Sequence, residues 1–138
     1  MIISTPDEMV ALGARIGKNL KAGDVILLRG ELGAGKTALT RGIGQALGFD
    51  DVTSPTFVIA KIHNGPLPLV HVDAYRLRGQ ALATFDDLDL ETRVPRSVTV
   101  IEWGDGFIDR IAPSYATISI SHGASENERI VELEGISL

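Results

Sequence analysis

A short apolar run followed by a glycine-rich segment constrains the fold of this chain more than any other feature. The run is V-I-L-L at residues 25–28, and the segment G-E-L-G-A-G-K-T at 30–37 follows the pattern G-x-x-x-x-G-K-T. The apolar run predicts a buried strand, and residues 36–47 are compatible with a helix. A strand, a glycine-rich loop and a helix in this order are typical of a P-loop, so the sequence predicts an α/β fold.

The fixed residues of the glycine-rich segment have chemical roles in binding phosphate. Glycines let the backbone curl until successive N–H groups point at phosphate oxygens, and the helix that begins at Lys36 adds the positive end of its dipole. Lys36 is expected to reach the β- and γ-phosphates, and Thr37 to offer its hydroxyl to Mg²⁺. The predicted nucleotide-binding residues of this segment are Leu32, Gly33, Ala34, Gly35, Lys36 and Thr37.

Length, cysteine content and charge narrow the class of protein. A chain of 138 residues fits a single domain over its whole length, and the absence of cysteine excludes disulfides and cysteine-ligated zinc. The apolar runs are too short to span a membrane and no secretion signal begins the chain, so we expect a cytoplasmic protein. The net charge of −5 disfavours a direct grip on nucleic acid, so any contact with RNA is expected through a partner.

Hydrophobic periodicity and turn residues predict a mixed sheet flanked by helices. Thr5, Pro6 and Glu8 have the pattern of an N-cap, a first-turn proline and a capping-box glutamate, which predicts a helix over 6–20. An Asn-Gly pair at 64–65 between two apolar runs favours a hairpin, so part of the sheet is expected to be antiparallel. The predicted strands are 25–29, 57–62, 67–72, 97–102, 115–121 and 129–133, and the predicted helices are 6–20, 36–47, 81–90 and 106–111.

Two carboxylates stand at the ends of predicted strands. Asp73 follows L-V-H-V, and Glu102 follows V-T-V-I. Because the carboxyl ends of strands in open α/β sheets line the ligand crevice, both acids can approach bound phosphates. Either acid alone could be a solvated strand end. Two of them in a chain with a P-loop favour roles in metal binding and hydrolysis.

Two further side chains are candidates for the site. Thr56 lies on the loop that leaves the predicted P-loop helix, where nucleotide switches keep a threonine that senses the γ-phosphate and Mg²⁺. The alternative is a turn threonine that caps the following strand. Trp103, the sole tryptophan, is expected either in the core or beside Glu102, where it would shield the site or meet a partner. The histidines lack metal-ligand spacing and are expected to be structural: His63, His71 and His122.

Four segments, taken in order, resemble one known family. They are G-E-L-G-A-G-K-T at 30–37, T-S-P-T-F at 53–57, H-V-D-A-Y-R-L at 71–77 and I-E-W at 101–103. The first is unspecific on its own, whereas the other three together are highly specific. The family is TsaE, formerly YjeE, whose members are small bacterial ATPases required for making threonylcarbamoyladenosine in tRNA.

The resemblance implies ligands, partners and residue roles. ATP and Mg²⁺ would bind a P-loop α/β domain with a mixed sheet, with Thr37 and Glu102 as metal ligands and Asp73, Thr56 and Glu102 acting in hydrolysis. TsaD and TsaB would be the partners, and the chain would meet tRNA only indirectly through them. Two residues distant in the chain would border the nucleotide: Glu8 and Arg129.

Two other functions fit the residues alone. A small-molecule kinase would need an arginine-bearing lid, and a binding module would use ATP only to set a surface for a partner. A GTP switch is disfavoured because the chain has no Asn-Lys-x-Asp motif. The candidate lid residues of the kinase are Arg76, Arg78, Arg93 and Arg96.

Overall fold

The computed structural model describes most of the chain. The described residues are 1–31, 33–53, 60–74, 89–105, 108–110 and 112–138, with the side chain of Arg110 excepted. Within them the α-helices are α1 (Pro6–Gly17), α2 (Lys36–Ala46) and α3 (Leu90–Arg93). Short 3-10 helices occur at Val94–Arg96 and Ile108–Arg110. The strands are β1 (Ile2–Ile3), β2 (Val25–Gly30), β3 (Ala60–His63), β4 (Leu69–Asp73), β5 (Val98–Glu102), β6 (Ala116–His122) and β7 (Arg129–Glu134).

The strands form one mixed sheet in the order β1-β7-β6-β2-β5-β4-β3. The inner strands β6, β2, β5 and β4 run parallel to one another, whereas β1, β7 and β3 pair antiparallel with their neighbours. This arrangement confirms the predicted mixed sheet and the predicted hairpin at the Asn-Gly pair, which joins β3 and β4. Because β2 runs parallel to its neighbours β6 and β5, the loop after β2 emerges at the edge of the sheet where the parallel strands end.

One face of the sheet is covered by α1 and α2. The two helices pack so closely that a Cβ at Gly13 would lie 2.1 Å from the Leu39 carbonyl oxygen, and one at Gly42 would lie 2.0 Å from that of Val10. Only glycine permits this approach of two backbones. The core on this face includes Leu28, Leu39, Ile43, Val100 and Ile118.

The opposite face of the sheet has a separate core. Because successive side chains of a strand point to opposite faces, the position of each polar residue in its strand determines which core it faces. Val70 and Val72 of β4 belong to this second core, whereas Leu69 belongs to the core beneath α1 and α2. By the same alternation, His71 and Asp73 face the side of α1 and α2. On β5, Ile101 lies in the second core, so Glu102 faces the same side as Asp73.

The element ends differ from the sequence prediction in places. Helix α1 ends at Gly17 rather than at residue 20, because the Asn19 and Leu20 amides bond three residues back and tighten the chain into turns. The predicted strand 67–72 begins at Leu69 and reaches Asp73. Strand β1 was not predicted, since two residues show no periodicity.

Some predictions fall partly outside the described residues. Of the predicted strand 57–62, residues 57–59 lie outside them, and β3 is found at Ala60–His63. Of the predicted helix 81–90, residues 81–88 lie outside them, Asp89 is not helical, and α3 begins only at Leu90, the last predicted residue. The predicted helix 106–111 is a 3-10 turn at Ile108–Arg110, with residues 106, 107 and 111 outside the described part.

Candidate functional site

The glycine-rich loop, residues 30–35, joins the central strand β2 to α2 by way of two left-handed glycines. Gly33 has φ 78° and Gly35 has φ 110°, backbone conformations that residues other than glycine rarely adopt. Gly35 is the N-cap of α2 and has no side chain to cap it, so the amides of the first turn face the loop. Such a helix start is suited to an anion. Leu32 lies outside the described residues.

Lys36 is the first residue of α2, and its side chain turns back beneath the loop. Only 6% of the residue is exposed, and its Nζ donates a hydrogen bond of 2.6 Å to the Gly30 carbonyl oxygen. The ammonium also lies 3.8 Å from Glu102 Oε1 and 4.2 Å from the centroid of the Trp103 ring. Burial lowers the pKa of Lys36, and the charges of Glu102 and Asp73 oppose that shift.

The two predicted acids are neighbours at the carboxyl edge of the sheet. Asp73 of β4 and Glu102 of β5 are register partners, and Glu102 is in turn the partner of Leu28 in β2. Glu102 is 4% exposed, and Asp73 is half-buried. Both side chains face α2, so two carboxylates and the Lys36 ammonium belong to one side of the sheet edge.

His71 is a contact of Glu102 that the sequence analysis missed. The residue is fully buried on β4, and its Nε2 lies 2.5 Å from Glu102 Oε2. The missed signal was the spacing H-x-D, since residues two apart in a strand face the same side. The spacing therefore predicts that His71 faces the same side of the sheet as Asp73.

Glu8 lies in the first turn of α1, and Arg129 lies at the start of β7. The Glu8 amide donates to Thr5 Oγ1 at 3.1 Å, which confirms the predicted N-cap. The Glu8 carboxylate accepts from the Ser4 amide at 2.7 Å, one residue before the N-cap amide that a capping box uses. The guanidinium of Arg129 donates to the Gly33 carbonyl oxygen at 3.3 Å. Arg129 thus ties the β6–β7 hairpin to the loop.

The remaining predicted residues occupy the loop or fall outside the described part of the chain. Ala34 is buried and Thr37 is half-buried in the first turn of α2. Thr56 lies outside the described residues. Trp103 has φ 59°, a left-handed conformation that is unusual for a bulky residue and costs backbone strain.

The oxygen donors at this edge suit a hard cation such as Mg²⁺. Among the described residues, no group of three or more histidines or acids is arranged to hold a metal. Mg²⁺ does not need such a cage, because it binds through one or two carboxylates together with water and substrate phosphates. Glu102 Oε1 and the hydroxyl of Thr37 are oxygen donors of the required kind.

The fold and the loop together define an α/β protein with a mixed sheet, in which the described residues form seven strands, and a glycine-rich loop at the carboxyl end of strand β2. The family model described as threonylcarbamoyl adenosine biosynthesis protein TsaE matches residues 3–131. The chain belongs to the TsaE family. No helix within the described residues is long and apolar enough to cross a membrane.

Relatives from several bacteria are named for this family. A Streptomyces coelicolor protein named tRNA threonylcarbamoyladenosine biosynthesis protein TsaE is 50% identical over 123 residues, which cover 86% of this chain and 82% of the relative. A Mycobacterium tuberculosis protein of that name is 39% identical over 133 residues, covering 90% and 79%. The crystal structure of Bacillus subtilis YdiB matches with a TM-score of 0.75 and 32% identity, covering 97% of this chain and 83% of that one.

Proposed function

We propose that this chain is a Mg²⁺-dependent ATPase that acts in the synthesis of threonylcarbamoyladenosine in tRNA. One observation carries the proposal: the Lys36 ammonium at the end of the glycine-rich loop lies 3.8 Å from the carboxylate of Glu102, whose register partner is Asp73. Hydrolysis of a nucleoside triphosphate needs a cation for the phosphates and acids for a metal and a water. Family membership supports the tRNA pathway in which this ATPase would act.

The residues of the loop would hold the phosphates. Amides of the loop would donate to phosphate oxygens, and the Ala34 amide would give up its bond to the Glu31 carbonyl to do so. Lys36 would exchange its bond to the Gly30 carbonyl for one to the β- and γ-phosphates. Arg129 would border the nucleotide from its contact with the Gly33 carbonyl. Glu8 would border it from α1, whose next residue, Met9, has its side chain against Gly35.

The strand-end acids would serve the metal and the attacking water. Thr37 and Glu102 would hold Mg²⁺, which when bound offsets the charge of the phosphate oxygens. Asp73 would orient the attacking water and accept its proton. Thr56 would sense the γ-phosphate from the loop that follows α2.

TsaD and TsaB homologues would be the partners, and tRNA would be met only through them. The net charge of −5 supports an indirect contact with tRNA, because an acidic protein repels the phosphate backbone. Hydrolysis would be slow in the isolated chain and would reset the partner complex between rounds. Such a complex would work in the cytoplasm.

The test is multi-turnover modification of tRNA by purified TsaD and TsaB homologues with this chain added. We expect Lys36→Ala and Asp73→Asn each to reduce the number of turnovers to that seen without this chain. Lys18→Ala, which removes an exposed lysine of similar charge, serves as the control. Unchanged turnover with Lys36→Ala would refute the proposal, and a phosphorylated metabolite as product would favour a kinase instead.

A further inference from the structure

His71 is a buried polar residue in a strand that is otherwise apolar up to its last position. It is 0% exposed, as are its strand neighbours Leu69, Val70 and Val72. Burying an imidazole among such residues is unfavourable unless its nitrogens are hydrogen-bonded. Among the described residues, Nδ1 has no partner, so the contact of Nε2 with Glu102 is the polar interaction that offsets the burial.

The contact uses one oxygen of Glu102 and leaves the other directed at the loop. His71 Nε2 lies 2.5 Å from Oε2, while Oε1 faces Lys36 Nζ at 3.8 Å. A carboxylate only accepts hydrogen bonds, so Nε2 is the protonated nitrogen. Because the terminal torsion of a glutamate is broad, a fixed donor on one oxygen determines where the other points.

The packing of the strands fixes the donor itself. His71 lies on β4, two residues before Asp73, and β4 pairs in parallel with β5, which carries Glu102. The imidazole is therefore held by the sheet rather than by a loop. Partners of this kind orient metal-binding side chains in many proteins, and their loss weakens metal affinity.

We infer that His71 is a positioning residue, which holds Glu102 through Oε2 so that Oε1 is presented to the cation bound with the nucleotide. The inference rests on the proposed function, in which Glu102 is a metal ligand. It assigns His71 no contact with substrate and no proton transfer. Metal binding by Glu102 is then expected to require a hydrogen-bond donor at the position of His71 Nε2, but not an aromatic ring or a positive charge there.

The test compares His71→Leu, which removes the donor, with His71→Gln, whose side-chain amide can restore it. Mn²⁺ is titrated into the protein saturated with ATP, and bound metal is followed by its electron paramagnetic resonance signal. Affinity for ATP without metal is measured alongside by calorimetry. His122→Gln, an exposed histidine at the end of β6, is the matched control.

His71→Leu is expected to bind Mn²⁺ about 10- to 100-fold more weakly, with metal-free ATP affinity within about twofold of the native value. His71→Gln should recover most of the Mn²⁺ affinity, and His122→Gln should match the native protein. Circular dichroism establishes that each variant is folded before titration.

Two results would overturn the inference. One is a folded His71→Leu with native Mn²⁺ affinity. The other is a His71→Gln variant as weak as His71→Leu, which would show that the imidazole acts through packing alone. Native protein that binds neither ATP nor Mn²⁺ would instead refute the proposed function, and the two failures are thereby told apart.

Discussion

The ammonium of Lys36 lies 4.2 Å from the centroid of the Trp103 ring, which makes the sole tryptophan of the chain a direct neighbour of the lysine in the glycine-rich loop. An ammonium over an indole face is attracted by the ring quadrupole. Lys36 in this structure is therefore held by the Gly30 carbonyl, Glu102 and Trp103, three groups that a phosphate would have to replace in part.

The Lys36–Trp103 contact predicts an optical signal for nucleotide binding. ATP should draw the ammonium away from the indole, so Trp103 emission is expected to change in intensity or wavelength as ATP is added. Lys36→Met, which has no ammonium, should show no such change at the same ATP concentrations. Native emission that stays constant while calorimetry reports bound ATP would contradict this prediction.

The lowered pKa of Lys36 predicts a pH dependence of stability without nucleotide. In the interval between the lowered pKa and the ordinary value of 10.5, the unfolded chain binds the proton and the folded chain does not. The contribution of Lys36 to the free energy of unfolding therefore rises with pH through that interval.

Lys36→Met lacks the titrating group and provides the reference for that pH dependence. The native protein should gain stability relative to Lys36→Met as pH rises toward 10.5, and the difference should be flat at lower pH. Urea denaturation at a series of pH values measures it. A native protein that loses stability relative to Lys36→Met over this range would show that Lys36 is not disfavoured by burial.

The glycine contact between α1 and α2 predicts a large cost for a small side chain. Gly42→Ala would place a Cβ 2.0 Å from the Val10 carbonyl oxygen, so the two helices must separate. We expect the free energy of unfolding to fall by about 1–3 kcal/mol, against the gain of about 1 kcal/mol that alanine brings to an open helix position.

Ala11→Ser, at an exposed position of α1, is the control for Gly42→Ala and should change stability by less than about 0.5 kcal/mol. Chemical denaturation measures both variants. A Gly42→Ala protein as stable as the native one would mean that the helices do not pack as described.

Arg129 predicts a link between the β6–β7 hairpin and nucleotide affinity. Its guanidinium donates to the carbonyl oxygens of Gly33 and Glu126 at 3.3 and 2.7 Å, so it holds a positive charge against the loop. Arg129→Ala is expected to weaken ATP binding about tenfold, the size of one charge-assisted contact. Arg15→Ala removes an exposed arginine of α1 and should have little effect; equal losses in both would point to net charge alone.

Much of the sheet was predictable because the strands carry local signals. Residues 25–28 are apolar and are followed by a glycine-rich motif, and the Asn-Gly pair predicted the β3–β4 hairpin. The register of Asp73 with Glu102 has no local signal, since it depends on two strands 25 or more residues apart coming together in parallel. Sequence placed each acid at a strand end, and only the fold made them neighbours.

The side-chain contacts of the site were less predictable than its residues. The H-x-D spacing indicates that His71 faces the same side as Asp73, but its pairing with Glu102 requires two strands in register and has no local signal. The left-handed backbone of Trp103 is likewise set by tertiary packing, because nothing in its type favours positive φ. The capping role of Glu8 depends on residues three and four apart and was visible in the sequence.

Calorimetric titration with ATP and Mg²⁺ tests most directly whether Lys36 and Glu102 belong to one site for ATP and its metal. The native chain should bind ATP saturably, and Lys36→Ala should lose at least about tenfold in affinity, the loss of a charge-assisted contact to phosphate. Glu102→Gln should lower the affinity only when Mg²⁺ is present, and Lys18→Ala should bind as the native chain does. Equal affinity of native and Lys36→Ala protein for ATP would contradict the account.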